Sequence, residues 1–156
     1  MSISLPAKLT TVAQALGRDG TLFDEQGAGA LLVDGTTLLL QYFVEGDTQV
    51  LVLAADLGAV APEARARIYP MMLAGNTSWS SVAGGALALD DTRHHAMLML
   101  RLDLAELGSE ALEGRIHAFG DAAVNWRARL ELPRDDGAAP PAAQPEQAAF
   151  TPANFA

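Results

Sequence analysis

The residues best suited to chemistry in this chain are few, and their spacing tells against each of them. His94 and His95 are adjacent in a run that alternates like a strand, so their side chains point to opposite faces and cannot share one metal ion. They fit two surface histidines beside a hairpin. Asp90-Asp91 offers two carboxyls, but Thr92 follows and short apolar runs flank them, which is the composition of a turn rather than of an acid/base pair. Ser80 and Ser81 precede Gly84-Gly85 without a GxSxG elbow, and no histidine or acid is spaced to activate either serine. No GxGxxG or GxxxxGK[ST] follows an apolar run, so a nucleotide's phosphates have no cradle. Arg127 and Arg129 beside Trp126 have the chemistry to grip a carboxylate, yet they also sit where basic side chains complement the negative end of a helix. His117 falls on the outer side of the same helical pattern. Asn76-Thr77-Ser78 spells a glycosylation sequon, which has meaning only in a secreted chain. The expectation is a protein with no catalytic residue, no cofactor and no metal, whose function rests on surfaces.

Composition narrows the partners. The chain has 156 residues, half of them apolar, enough for one domain with a real core. Its formal charge of -9 repels phosphate backbones and anionic lipid, which argues against nucleic acid and membrane surfaces and for a neutral or basic protein partner. Cysteine is absent, so neither a disulfide framework nor a thiolate site is available. Residues 1–8 lack the charged and apolar blocks of a secretory signal, and no apolar run approaches the roughly 20 residues that span a bilayer. The expected location is the cytoplasm.

The elements that would position any surface can be read from periodicity. Leu5, Leu9, Val12 and Leu16 form one stripe of a helix over residues 5–17, with Gly17 or Gly20 to stop it. Strands are predicted over 28–33, 36–44 and 48–55, joined by tight turns at Asp34-Gly35 and at Glu45-Gly46-Asp47 into an antiparallel meander. A second helix is predicted over 62–75, with Pro62 in its first turn and Pro70 kinking or shortening it. Residues 86–89 and 95–102 make a second hairpin. Leu112, Ile116, Phe119, Ala123, Trp126 and Leu130 then step by four and three along a third helix, for which Ser109 is the expected cap. From Pro133 the chain turns to Pro, Ala, Gly and Gln with five prolines, and residues 133–156 are expected to be a disordered tail behind a domain of residues 1–132. Phe150 and Phe155 are its only large apolar groups. The predicted class is α+β, in the order α-β-β-β-α-β-β-α, with an antiparallel sheet packed against helices.

The apolar surplus is the functional clue. In the second strand, Leu38, Leu40, Tyr42 and Val44 share one face while Leu39 and Phe43 share the other with Gln41, so both faces are apolar. Helix two carries Ile68, Met71, Met72 and Leu73, with Trp79 after it; this Met-rich surface suits a core or a partner equally. The stripe of helix one, Leu22 and Phe23 after it, and the outer face of the meander offer a place for an extended chain, paired by strand addition at an open sheet edge.

The segment from Leu16-Gly17 through Leu22-Phe23-Asp24-Glu25-Gln26-Gly27 to Leu31-Leu32-Val33-Asp34 resembles the N-terminal pattern of class I type III secretion chaperones, the CesT/Tir-chaperone family. So do the approach from Leu57-Gly58 to Pro62, the helix end Met72-Leu73-Ala74-Gly75-Asn76, and Gly84-Gly85-Ala86-Leu87-Ala88-Leu89-Asp90. Leu112 to Phe119 followed by Ala123-Val124-Asn125-Trp126-Arg127 completes a similarity over roughly residues 4–131. The resemblance implies an acidic, homodimeric protein of the bacterial cytoplasm. It would bind the N-terminal segment of a secreted effector in extended form without nucleotide, with the secretion ATPase or sorting apparatus as a further partner. It also implies a dimer surface of Ile68, Met71, Met72, Leu73, Trp79, Leu87 and Leu89. The client surface it implies comprises Leu5, Leu9, Val12, Leu16, Leu22, Phe23, Leu31, Val33, Leu40 and Tyr42. A regulatory or antagonist module on the same fold is the alternative reading, and a small hydrolase or isomerase the third.

Overall fold

The computed structural model describes residues 4–16 and 22–132. The expected tail with Phe150 and Phe155, and the helix stops Gly17 and Gly20, lie outside these residues. In chain order the elements are α1 (Ala7–Ala15), β1 (Ala28–Val33), β2 (Thr36–Glu45), β3 (Thr48–Ala59), a single 3₁₀ turn (Pro62–Ala64), α2 (Arg65–Gly75), β4 (Ala86–Asp90), β5 (His95–Asp103) and α3 (Ser109–Leu130). All five strands form one antiparallel sheet in the order β1-β2-β3-β5-β4. The meander is as predicted; the second hairpin joins it through β5, leaving β1 and β4 as the edges.

Local chemistry explains the turns. At the β1–β2 hairpin Asp34 and Gly35 both have positive φ, 45° and 78°, as a two-residue turn matched to strand twist requires. At the β4–β5 turn the Asp90 carboxylate accepts the N–H groups of Thr92 and Arg93, both at 3.1 Å. His94 belongs to that turn, with φ 56°, and not to the strand. β3 runs past its predicted end to Ala59, through a bulge between Asp56 and Gly58. Arg127 of α3 reaches that bulge and donates to the carbonyls of Asp56 (2.5 Å) and Leu57 (3.3 Å).

The helices cover one face. The predicted stripe of α3, Leu112, Ile116, Phe119, Ala123, Trp126 and Leu130, is buried, with Gly120 and Ala122 beside it, and it shares one cluster with Leu38, Leu40, Leu53, Leu98 and Leu100 of the sheet. Leu9 and Val12 of α1 and Ile68 and Met72 of α2 enter the same cluster. α1 is shorter than predicted because Pro6, in extended conformation, is its N-cap; Lys8 then ties it down by donating to the carbonyls of Leu104 and Leu107. α3 is capped by Gly108, and Ser109 is its first helical residue with no side-chain cap bond. Pro70 lies on the exposed side of α2, where its missing N–H and ring are accommodated without ending the helix. Gly75 closes α2 at a place where a Cβ would meet the Trp126 ring at 2.3 Å and Leu87 Cδ1 at 2.9 Å, so only glycine permits the approach of helix end to sheet.

Candidate interaction surfaces

Strand register divides the sheet into two faces. Leu38, Leu40 and Tyr42 pair with Ala55, Leu53 and Leu51, which pair onward with Leu98, Leu100 and Leu102, and these rows lie under the helices. The alternate rows face away. One of them, Ala30–Leu39–Ala54–Met99–Ala86, crosses the sheet from edge to edge without a polar side chain. The rows on either side are mixed: Ala28–Gln41–Val52–Arg101 on one, and Leu32 with Thr37 and Asp56–Met97–Ala88 on the other, while Phe43–Val50 lies one row further out and ends on Asp103. Leu32 is 60% exposed and Leu39 43%. Val50, Val52, Ala54 and Met97 are buried yet stand outside the main core cluster.

Charged residues stand on either side of the apolar row, and Arg101 and Asp56 among them are paired. On one side Arg101 pairs with Glu45. On the other, Asp56 accepts from His95 Nδ1 at 2.8 Å and from Arg93 at 3.3 Å, and Arg93 Nε donates to Asp90 at 2.7 Å. Burial pushes the Asp90 carboxyl up, but the Arg93 side chain, the Arg93 N–H, the Arg93 charge and the Thr92 N–H outweigh it and hold the group below the usual carboxylate range. His95 is thus a half-buried partner of Asp56, whereas His94 is exposed as expected. Arg127 grips backbone carbonyls instead of a carboxylate, and Arg129 lies over the Trp126 ring at 4.7 Å. Among the described residues no group of three His, Asp or Glu side chains is placed to hold a metal, and no helix is long and apolar enough to cross a membrane.

The sequence-predicted surface residues separate by burial. Leu9, Val12, Leu22, Leu31, Leu40 and Tyr42 are buried, because the face of helix one and the inner sheet rows turn toward α3; this corrects the expectation that they lie on the surface. Burial pushes the Tyr42 phenol up from its ordinary value. Leu5, Leu16, Phe23 and Val33 are half-buried at the margin of the core. In the second set, Ile68, Met72 and Leu87 are core, Met71 is half-buried, and Leu73 (73%), Trp79 (72%) and Leu89 are exposed. The outer-face residues Leu32, Met97 and Met99 were missing from both sets. Their signal was the alternation Met97/Met99 against Leu98/Leu100, which shows two apolar faces without saying which one the helices take.

A groove of about 620 Å³ lies along the second half of β1, lined among the described residues by Leu16, Leu31, Leu32, Val33, His117 and Asp121. The first half of that edge is occupied: Asp24 N–H donates to the Ala28 carbonyl at 2.8 Å and Phe23 bridges to Gly29. By alternation the Leu32 N–H and C=O also point away from β2, and among the described residues nothing pairs with them.

Comparison with known proteins supplies the context for these surfaces. The fold is similar to that of a chain in the HopA1–SchA chaperone–effector complex, at 19% identity over 77% of this chain and 90% of that one, with a TM-score of 0.61. It is similar to a chain of the ExsC–ExsE complex, at 20% identity over 82% and 97%, with a TM-score of 0.63. A chain of the heterodimeric ExoU–SpcU complex from the type III secretion system of Pseudomonas aeruginosa matches at 22% identity over 78% and 93%, with a TM-score of 0.57. At these identities the likeness is one of fold. Sequence comparison with curated proteins gives no match. The model of the Tir chaperone protein (CesT) family matches residues 8–127, from the first turn of α1 through every strand to the last turns of α3. With sequence match and architecture in agreement over that span, the chain belongs to the Tir chaperone protein (CesT) family.

Proposed function

We propose that this protein is a non-catalytic type III secretion chaperone of the bacterial cytoplasm that binds the N-terminal segment of a secreted effector in extended form and keeps it soluble and ready for export. The observation that carries this reading is the apolar row running edge to edge across the face of the sheet that no helix covers. A globular enzyme of this size has little reason to leave such a face open, whereas a chain held along it has its apolar side chains occupied. The β1 edge beside Leu32 supplies backbone pairing, and a strand paired there cannot pair with another unfolded chain. The family match, with the similarity to a chain from a chaperone–effector complex and to one from a heterodimeric complex of a type III secretion system, supports the same assignment. Delivery to the secretion ATPase or sorting apparatus is the step that would follow.

The protein acts in this reading as a homodimer through the α2 side, where Leu73 and Trp79 are exposed at the end of the helix and in the loop after it, with Leu89 on the neighbouring edge strand. Leu73→Asp is the variant that tests this, since its side chain leaves the core untouched; a mass by light scattering that falls from two chains to one is the expected result. Met72→Asp would instead bury a charge and unfold the chain.

The test of function is purification of the tagged full chain from its native cytoplasm under secretion-inducing conditions. Mass spectrometry of what copurifies and light scattering of the complex are then combined. A dominant secreted protein held through its N-terminal region, at two chains per client, is expected. A folded cytoplasmic partner would favour the regulatory-module reading and overturn this one.

A further inference from the structure

The two edges of the sheet are finished differently, and the difference turns on one side chain. On β4 the groups that point away from β5 belong to Leu87 and, by alternation, to Gly85 before it and Leu89 after it. The Gly85 N–H is taken by the Val82 carbonyl at 2.9 Å. Both groups of Leu87 are taken by Asn76: the Leu87 N–H donates to Asn76 Oδ1 at 2.7 Å, and Asn76 Nδ2 donates to the Leu87 carbonyl at 3.1 Å. A carboxamide has one donor and one acceptor in the plane of a peptide group, so it satisfies Leu87 as one residue of a sixth strand would, with no chain behind it to continue the ladder.

The placement is built by the residues around it. Asn76 caps the C-terminus of α2, where its own N–H donates to the Met72 carbonyl at 3.2 Å. Gly75 before it lets the helix end come down onto Leu87 and Trp126, which brings the amide within reach of the strand. Among the described residues, what remains open along this edge is the Gly85 carbonyl before β4 and Leu89 in the second half of the five-residue strand, separated by the satisfied Leu87. Groups interrupted in this way do not offer a continuous ladder, and isolated hydrogen bonds do not hold an extended chain against the entropy of ordering it. Among the described residues β1 is occupied along its first half, and it carries its groove along the second.

We propose that Asn76 is a specificity-determining residue that closes the β4 edge to strand addition, so that an extended chain pairs with this sheet only at β1. The proposal rests on the reading that clients are held as an added strand. Closure of β4 itself is a property of the free protein and is tested without a client. With Asn76 replaced, the β4 edge presents Leu87 and Leu89 together, and a second copy of the chain can add to it. Pairing of β4 with the β1 edge of the next copy does not close on itself and grows with concentration.

The experiment uses the full chain with Asn76→Ala and, as a second background that keeps a small polar residue at the helix end, Asn76→Ser. Hydrogen exchange at the Leu87 amide should accelerate by about tenfold on loss of its acceptor, with far-UV circular dichroism unchanged. Light-scattering mass should rise with concentration above the wild-type plateau. Leu89→Pro, which removes the last outward N–H of β4, should bring the double variant back to the mass of Leu89→Pro alone; a purely structural role for Asn76 gives no such rescue. Unchanged Leu87 protection, or faster exchange with an unchanged mass profile, overturns the proposal. Loss of fold in both variants also overturns it, by assigning the amide to the packing of α2. None of these outcomes bears on whether the wild-type chain captures an effector, so the two readings fail separately.

Discussion

Leu39 and Leu40 are neighbours of the same type on one strand, and they lie in different worlds. Leu40 is 2% exposed, in register with Leu53 and Leu100 beneath the helices; Leu39 is 43% exposed, in register with Ala54 and Met99 on the face no helix covers. The first contributes to folding, because its methyl groups leave water when α3 docks. The second keeps over two-fifths of its surface in water, so it contributes less to folding and has apolar area left over. A two-faced apolar strand is therefore not a deeper core but a core on one side and, in the proposed reading, a docking surface on the other.

That contrast can be broken most easily at its inner half. Leu40→Ala should cost about 2–5 kcal/mol of stability by denaturant unfolding, the range for truncating a fully packed leucine. A loss below about 1 kcal/mol would mean that the two faces are not different. Gly75→Ala comes next. Its Cβ meets the Trp126 ring and Leu87, and an overpacked contact of this kind should cost about 1–3 kcal/mol while loosening the Asn76 bonds to β4. Leu39→Ala should change stability by less than about 0.5 kcal/mol. The same substitution should weaken capture of the copurifying effector by about 1–4 kcal/mol, read as a titration with that protein's N-terminal segment. Stability lost without any loss of binding would return Leu39 to the core.

The smallest expected effect is at the Asp90–Arg93 pair. The Asp90 carboxyl is held below its unfolded-state pKa, so its contribution is present above the unfolded value and is lost as pH falls through the folded one. Arg93→Ala removes the side-chain hydrogen bond and the charge, and the Asp90 pKa should rise. The variant and the wild type should then differ in stability at neutral pH and converge in acid. Carboxyl titration by NMR checks the direction, and a downward shift would contradict the pairing.

Much of the fold could be read locally. Asp34-Gly35 marks a turn because few dipeptides tolerate positive φ at both positions, and Asp90-Asp91-Thr92 marks another because a carboxylate can bind the backbone that follows it. The stripe from Leu112 to Leu130 names the buried side of α3 because only one helix face can meet the core. The surface residues could not be read in this way. Met72 and Leu73 are adjacent and equally apolar, yet one is core and the other 73% exposed. Asn76 reads as the start of a sequon, and its partner Leu87 lies eleven residues away across a loop.

Periodicity and turn chemistry are properties of neighbouring residues, and they sufficed for the order of elements, the strand starts and the presence of apolar residues on both sheet faces, but not for the bulge that carries β3 on to Ala59. Which face of the sheet the helices take, which edge stays open and which methionine is buried depend on contacts between residues far apart in the chain. An apolar side chain loses its hydration equally well against a helix or against a partner, so its type alone does not distinguish them. Docking of α3 over Leu40 and of the α2 end over Leu87 made that choice, and it left Leu39 partly in water.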